Sequence, residues 1–258
     1  MLKRITALFM LLALCLGISS CATAGIQFTL SKDGTYYIAS GYESGTELTK
    51  LNIPAEYKGL PVKGLSNQMD HRQVVEGTTA ISLPEGLICL DANFWATAYY
   101  ADEGNWETVT EDGVTYRALY LNSYLLSVEI VSGKKTDGFN SFTVKDGTKG
   151  IASLAFADDS SVAYRLTIPS SVDFLGSSVA VNKTEVEKRC NLFGSSSNHK
   201  RITFGGTAEE WKELTVDLED QVGEMTFYED PAYDARDILA TGYGIWIVNC
   251  TDGTCVYD

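Results

Sequence analysis

The stretch Leu166–Ala180, LTIPSSVDFLGSSVA, has an echo 24 positions upstream in Phe142–Phe156, FTVKDGTKGIASLAF. With Phe142 set on Leu166, Val144 falls on Ile168, Ile151 on Leu175 and Ala155 on Val179. The first two apolar sites of each copy are two residues apart, the period of a strand whose side chains alternate between faces. The later sites are three or four apart, close to a helical turn. A short strand, a turn and a compact return segment at a fixed period are the sequence mark of a stack of repeating units.

Further copies lie upstream. In ISLPEGLICLDANFW, from Ile81, the residues Leu83, Leu87, Leu90 and Phe94 take the same places, and LNIPAEYKGLPVKGLSNQM starts another copy at Leu51. RITFGG at Arg201 reads as a worn fifth strand. Pro54, Pro84 and Pro169 each follow the apolar pair of a strand. Proline cannot donate to a ladder, so it marks the strand end. Spacing is irregular, with 30 residues from Pro54 to Pro84 and 61 from Leu83 to Val144. Insertions of this kind map to loops on one side of a stack. No single copy can bury its apolar sites alone, so neighbouring copies are expected to share one continuous interior.

LTIPSSVDFLGSSVA resembles the BspA-like (Treponema pallidum-type) leucine-rich repeats, whose unit runs strand, "IP", small turn, "V..IG..AF" and the next strand. FTVKDGTKGIASLAF fits that unit through Ala155-Phe156. The segment Tyr36–Val62 is similar to the opening of such proteins, and ITFGGTAEEWKEL with the later NCTDGT is similar to their closing segment. The copy at Leu166 departs from the unit, with Ala180 ending it in place of the phenylalanine of "AF". The resemblance spans about Phe28 to Thr254. It implies a mainly β leucine-rich-repeat solenoid with short helices and turns, irregular, of about four to five repeats. It also implies a bacterial cell-surface protein with a role in attachment.

The N-terminus, MLKRITALFMLLALCLGISSCATAG, carries Lys3 and Arg4 ahead of a 14-residue apolar run, Ile5–Ile18. A membrane span needs about 20 residues, so the run suits a signal peptide. ISSC resembles a bacterial lipobox, in which Cys21 would become the lipid-bearing first residue; cleavage near Ala22 or Ala24 is the plain secretory alternative. The expected organisation is a signal peptide over 1–20, a lipidated tether over 21–25 and a repeat domain over 26–258. Within that domain, 99–141 is an inserted hairpin region and 202–258 a C-terminal cap.

Without Lys3 and Arg4 the chain has 18 basic against 34 acidic side chains, a net charge of −16. Such a balance disfavours nucleic acid, whose phosphates need clustered Lys and Arg. It also disfavours adsorption to anionic lipid, leaving a lipid on Cys21 as the membrane contact. Only two histidines, His71 and His199, are present, both in polar stretches, and no G-x-S-x-G turn presents a serine. Neither G-x-G-x-x-G nor the P-loop pattern occurs. Among 34 acids some pair will meet glycosidase spacing by chance. Asp158-Asp159, Glu209-Glu210 and Glu219-Asp220 therefore read as solvated faces or a helix start. No catalytic residue, cofactor or metal site is expected, and the DGT segments at Asp146 and Asp252 lack a full EF-hand loop.

Cys89, within LICL, reads as a small core residue, and Cys190 as a free thiol. Cys250 and Cys255 flank TDGT. Asp-Gly favours a two-residue type I′ turn. That turn pairs Thr251 with Thr254 and sets Cys250 opposite Cys255, about 4.5 Å apart at Cα, within disulfide range. A disulfide and two reduced thiols both remain open. VTYRALYLNSYLLSVEIV, Val114–Val131, alternates around an LNS break and predicts a β-hairpin that projects or widens a sheet. GTAEEWKEL has Thr207 as N-cap and Glu210 three residues on, a capping box, with Trp211 and Leu214 on one face. Trp246 and Val248 on one side of YGIWIVNC, Ile245 and Ile247 on the other, predict a strand buried on both sides. Tyr36, Tyr37, Tyr42, Phe94, Trp95, Tyr99, Tyr100 and Trp106 are dense; they read as core and edge filling or as a recognition surface. The expected function is a lipid-anchored, cell-surface repeat protein that binds proteins or adheres. The alternative from another class is a surface glycan-binding module or glycan-active enzyme.

Overall fold

The computed structural model describes residues 25–43, 50–66, 69, 80–90, 106–136, 138–156, 163–176, 200–215, 218, 223–229 and 246–257. These residues are mainly β, in curled sheets, with one α-helix, α1 (Ala208–Leu214).

The largest sheet contains β11 (Phe139–Thr143), β13 (Ala163–Ile168), β15 (Lys200–Phe204) and β17 (Trp246–Asn249), all parallel, then β18 (Thr254–Tyr257) and β16 (Met225–Tyr228), antiparallel. The register is constant. Phe142 pairs with Leu166, Leu166 with Ile202 and Ile202 with Val248. The echo seen in the sequence is thus a physical neighbour relation. The return segments pair as well, as β12 (Gly150–Ile151) on β14 (Phe174–Leu175), with Ile151 opposite Leu175. Gly150 lies opposite Phe174 because a Cβ there would collide with the Phe174 ring. Further up the chain, β3 (Lys50–Asn52) pairs in parallel with β6 (Ala80–Ser82), Leu51 on Ile81. Pro54, Pro84 and Pro169 all follow the ends of their strands, where no ladder donor is needed.

Another sheet joins β1 (Ile26–Leu30), β2 (Tyr37–Tyr42), β5 (Leu60–Leu65) and β4 (Glu56–Tyr57), with β7 (Cys89–Leu90) parallel to β5. The expected hairpin forms as β9 (Val114–Leu121) and β10 (Tyr124–Ser132), turning at Asn122 with φ 53°. It widens a sheet, with β8 (Trp106–Glu111) on one side and β12 and β14 on the other.

The interior differs from expectation. Among the described residues the two larger apolar clusters are separate, and the hairpin contributes side chains to both. Tyr116, Ala118, Tyr120, Leu125 and Val128 face one cluster, with Phe142, Leu166, Ile202 and Trp211. Leu119, Leu121, Tyr124 and Leu126 face the other, with Leu51, Leu83 and Leu90. The cause is strand geometry. Toward the turn both faces of the hairpin are apolar, and successive side chains point to opposite sides. The hairpin turn is bolted to the Leu83–Leu87 segment. Tyr124 Oη accepts the Leu87 N–H (3.1 Å) and donates to Pro84 O (3.0 Å), and Asn122 Nδ2 donates to Leu83 O (2.7 Å).

The capping box on α1 is present, with Thr207 and Glu210 exchanging both bonds, and Ala208, Trp211 and Leu214 are buried. Trp246, Ile247 and Val248 are all buried, as the two-sided strand required. The last turn corrects the sequence reading. Asn249 pairs with Thr254 and Val248 with Cys255, so Cys250 lies in a longer loop and not opposite Cys255. Neither Asp252 nor Gly253 takes the positive φ that a type I′ turn requires. Instead Asp252 accepts the Ala208 N–H (2.9 Å) and Thr251 donates to Gly206 O (2.9 Å). Contacts to the helix start override the local turn preference.

Candidate functional site

Across the parallel sheet, β11, β13 and β15 run Ser141-Phe142-Thr143, Arg165-Leu166-Thr167 and Arg201-Ile202-Thr203 in register. The middle residue of each is buried, so the flanking ones point to the opposite face. Thr143, Thr167 and Thr203 are exposed and form a row on strands about 4.8 Å apart. In the neighbouring row, the guanidinium carbons of Arg165 and Arg201 lie 5.6 and 5.1 Å from the ring centroid of Phe139. Among the described residues Arg165 has no carboxylate partner.

Like charges at directly paired positions repel. The Phe139 ring offsets part of this, by about 0.5–1 kcal/mol per cation at an exposed site. The result is an exposed donor fork on Arg165, with the half-buried guanidinium of Arg201 beside it, next to a row of threonines. Such a set recognises carboxylate, sulfate or phosphate. The edge of β11 is covered: Glu111 accepts the Thr143 N–H (2.8 Å) and hydroxyl (2.9 Å), Asp112 accepts the Ser141 hydroxyl (2.6 Å), and the Asn140 amide bonds to both main-chain groups of Lys135. This edge is closed, and the face beside it is the part open to solvent.

The sequence reading passed over this face. The signal was available as the shared "R, apolar, T, apolar" of Arg165–Ile168 and Arg201–Phe204.

The described aromatics of the N-terminal part contact one another and nearby cations. Phe28 stacks on Tyr57 at 4.2 Å, Tyr37 meets Tyr57 edge-on at 5.0 Å, and Lys58 Nζ lies 5.2 Å from the same ring. Tyr42 is buried. Trp106 lies under Arg117 (4.3 Å), itself paired with Glu129 (2.7 Å). Phe94, Trp95, Tyr99 and Tyr100 lie outside the described residues, as do His71, His199, Asp158, Asp159, Glu219, Asp220, Cys190 and the lipidation candidate Cys21.

Of the acids weighed in the sequence, Glu210 closes the capping box, Glu209 is exposed on the first helical turn, Asp146 accepts the Gly147 N–H and Asp252 caps α1. Among the described residues no group of three or more His, Cys, Asp or Glu gathers as metal ligands would. Cys89 is fully buried in β7, where its sulfur fills the space beside Gly64. Cys250 and Cys255 are buried free thiols.

Lys200 and Tyr116 are among the buried groups that lie outside their ordinary ranges. Lys200, 1% exposed, has its ammonium brought down to about 8 by loss of solvent. The Tyr116 hydroxyl is pushed well up, first by burial and then by Glu111 and Asp112, and has no hydrogen-bond partner among the described residues. Both groups point into the core and stand apart from the exposed face. Comparison of the chain with protein-family models, with curated proteins and with solved structures found no match.

Proposed function

We infer that the chain is a leucine-rich-repeat solenoid of about four to five irregular units that binds another protein at a bacterial cell surface. It acts by docking, not by catalysis, and a lipid on Cys21 holds it to the membrane. The repeat architecture is supported by pairs that the sequence aligned and the sheets hydrogen-bond: Leu51 with Ile81, Phe142 with Leu166, Ile151 with Leu175. The observation that carries the binding role is the exposed face with Arg165 and the row Thr143, Thr167, Thr203. In-register faces of stacked strands offer an extended surface to a partner protein.

The test captures matrix proteins and a glycan array on immobilised full chain, with Arg165→Glu and Thr167→Glu variants beside it. Protein capture that falls at least about tenfold in both variants, roughly 1.4 kcal/mol or more, supports the face. Protein capture unchanged in both rejects it, and a glycan signal without protein capture moves the function to sugar recognition. Deleting the hairpin region would answer nothing, because its strands line both cores. For the anchor, Cys21→Ala should abolish partition into a detergent phase; partition that persists excludes lipid on Cys21.

A further inference from the structure

The last turn of the chain holds two sulfurs against each other. Cys250 and Cys255 are 5% and 0% exposed and lie in one apolar cluster, and the ladder pairs Val248, two residues before Cys250, with Cys255. The turn between them is held by contacts that do not involve either sulfur. Cys250 N–H donates to Gly253 O (2.8 Å), the Thr251 N–H and hydroxyl both donate to Gly206 O, and Asp252 accepts the Ala208 N–H. A Cβ on Gly253 would collide with Tyr228 O and the Phe227 ring, so β16 closes the turn from the other side. The two sulfurs are therefore placed together by the fold and enclosed by it.

The geometry points to Cys250 and Cys255 as a dithiol that closes to an intramolecular disulfide, a staple across the turn that holds the start of α1. This role is separate from partner binding on the sheet face. The co-reactant is a small disulfide of the glutathione-disulfide class. The Cys255 thiolate, favoured by the neighbouring Cys250, attacks it, forming a mixed disulfide and releasing one thiol. Cys250, its proton lost to solvent, attacks the Cys255 sulfur, and the second thiol leaves. The protein gives up two electrons and two protons, and the external disulfide takes up both. Since both sulfurs are buried, exchange reaches them while the turn is open, and the finished bond is shielded once it closes.

The experiment uses reduced full chain with glutathione disulfide in sub-denaturing urea, followed by trapping with iodoacetamide under denaturing conditions and digestion with trypsin. The peptide from Asp237 to Asp258 carries both cysteines and no internal Lys or Arg. It should appear unalkylated and about 2 Da lighter than its dithiol form, as loss of two hydrogens on S–S formation requires. Cys250→Ser should instead retain glutathione on Cys255, and the wild-type mass stands whether or not this variant folds. The oxidised chain should melt about 4–8 °C above the reduced one, the effect of closing a short loop in a chain of this size. A peptide alkylated at both cysteines, a link from either to Cys89 or Cys190, or equal melting temperatures would overturn the staple.

Discussion

The parallel sheet and the hairpin bury comparable side chains by opposite means. β13 and β15 each bury one side and repeat Arg and Thr at the same register on the other, and β11 joins them with Thr143 exposed in the same row. In β9 and β10 both sides are buried over the half nearest the turn, the pairing is interrupted by shifts at Leu125/Ser127 and Ile130/Ser132, and the two faces there serve different cores. A one-sided strand can be duplicated, because its neighbour supplies the missing contacts. A two-sided strand cannot, because each face must fit a different set of side chains. Repetition therefore stops at the hairpin and resumes beyond it, and a strand face is left to solvent only where strands are one-sided.

The largest effect should come from the residue that joins the two regions. Phe142 lies edge-on to Tyr116 of the hairpin (5.2 Å) and to Phe156 (5.6 Å), and is fully buried. Phe142→Ala should cost about 3–5 kcal/mol in urea unfolding, while Thr167→Ala on the solvent side of the next strand stays within about 0.5 kcal/mol. A cost below about 1 kcal/mol for Phe142 would mean that sheet and hairpin are not one core.

A smaller effect tests the inner side of the sheet. Lys200 has its pKa lowered to about 8 in the fold, against about 10.4 in an open chain. At pH 7 both states carry the proton, and the folded state bears the cost of a buried charge. As pH rises from 8 to about 10.4 the unfolded state holds more protons, so wild-type stability should rise across that window. Lys200→Met should stabilise by about 1–3 kcal/mol at pH 7, with the gain shrinking toward pH 10.4. A gain independent of pH would show that packing, not charge, is responsible.

The smallest test separates the two faces of the hairpin. Tyr124→Phe removes a hydroxyl with two partners and strands the Leu87 N–H, costing about 1–3 kcal/mol. Tyr116→Phe removes a buried hydroxyl without a partner among the described residues and should be neutral or stabilising by up to about 1 kcal/mol. Equal costs in thermal or urea unfolding would erase the distinction.

The sequence by itself determined the pairs Leu51 with Ile81, Phe142 with Leu166 and Ile151 with Leu175, the proline-marked strand ends, the capping box at Thr207 and Glu210, and the hairpin at Asn122. Each depends on residues close together in the chain or on the same residue types recurring at one spacing, and local chemistry suffices for both. The division of the interior into two cores was hidden, because an apolar face in the sequence does not say which neighbour covers it. So was the turn at Asp252: its local preference for type I′ lost to hydrogen bonds with Gly206 and Ala208, some 45 positions away. Register across a sheet put Arg165, Arg201 and Phe139 on one face, and only tertiary structure decides register between strands so distant in the chain.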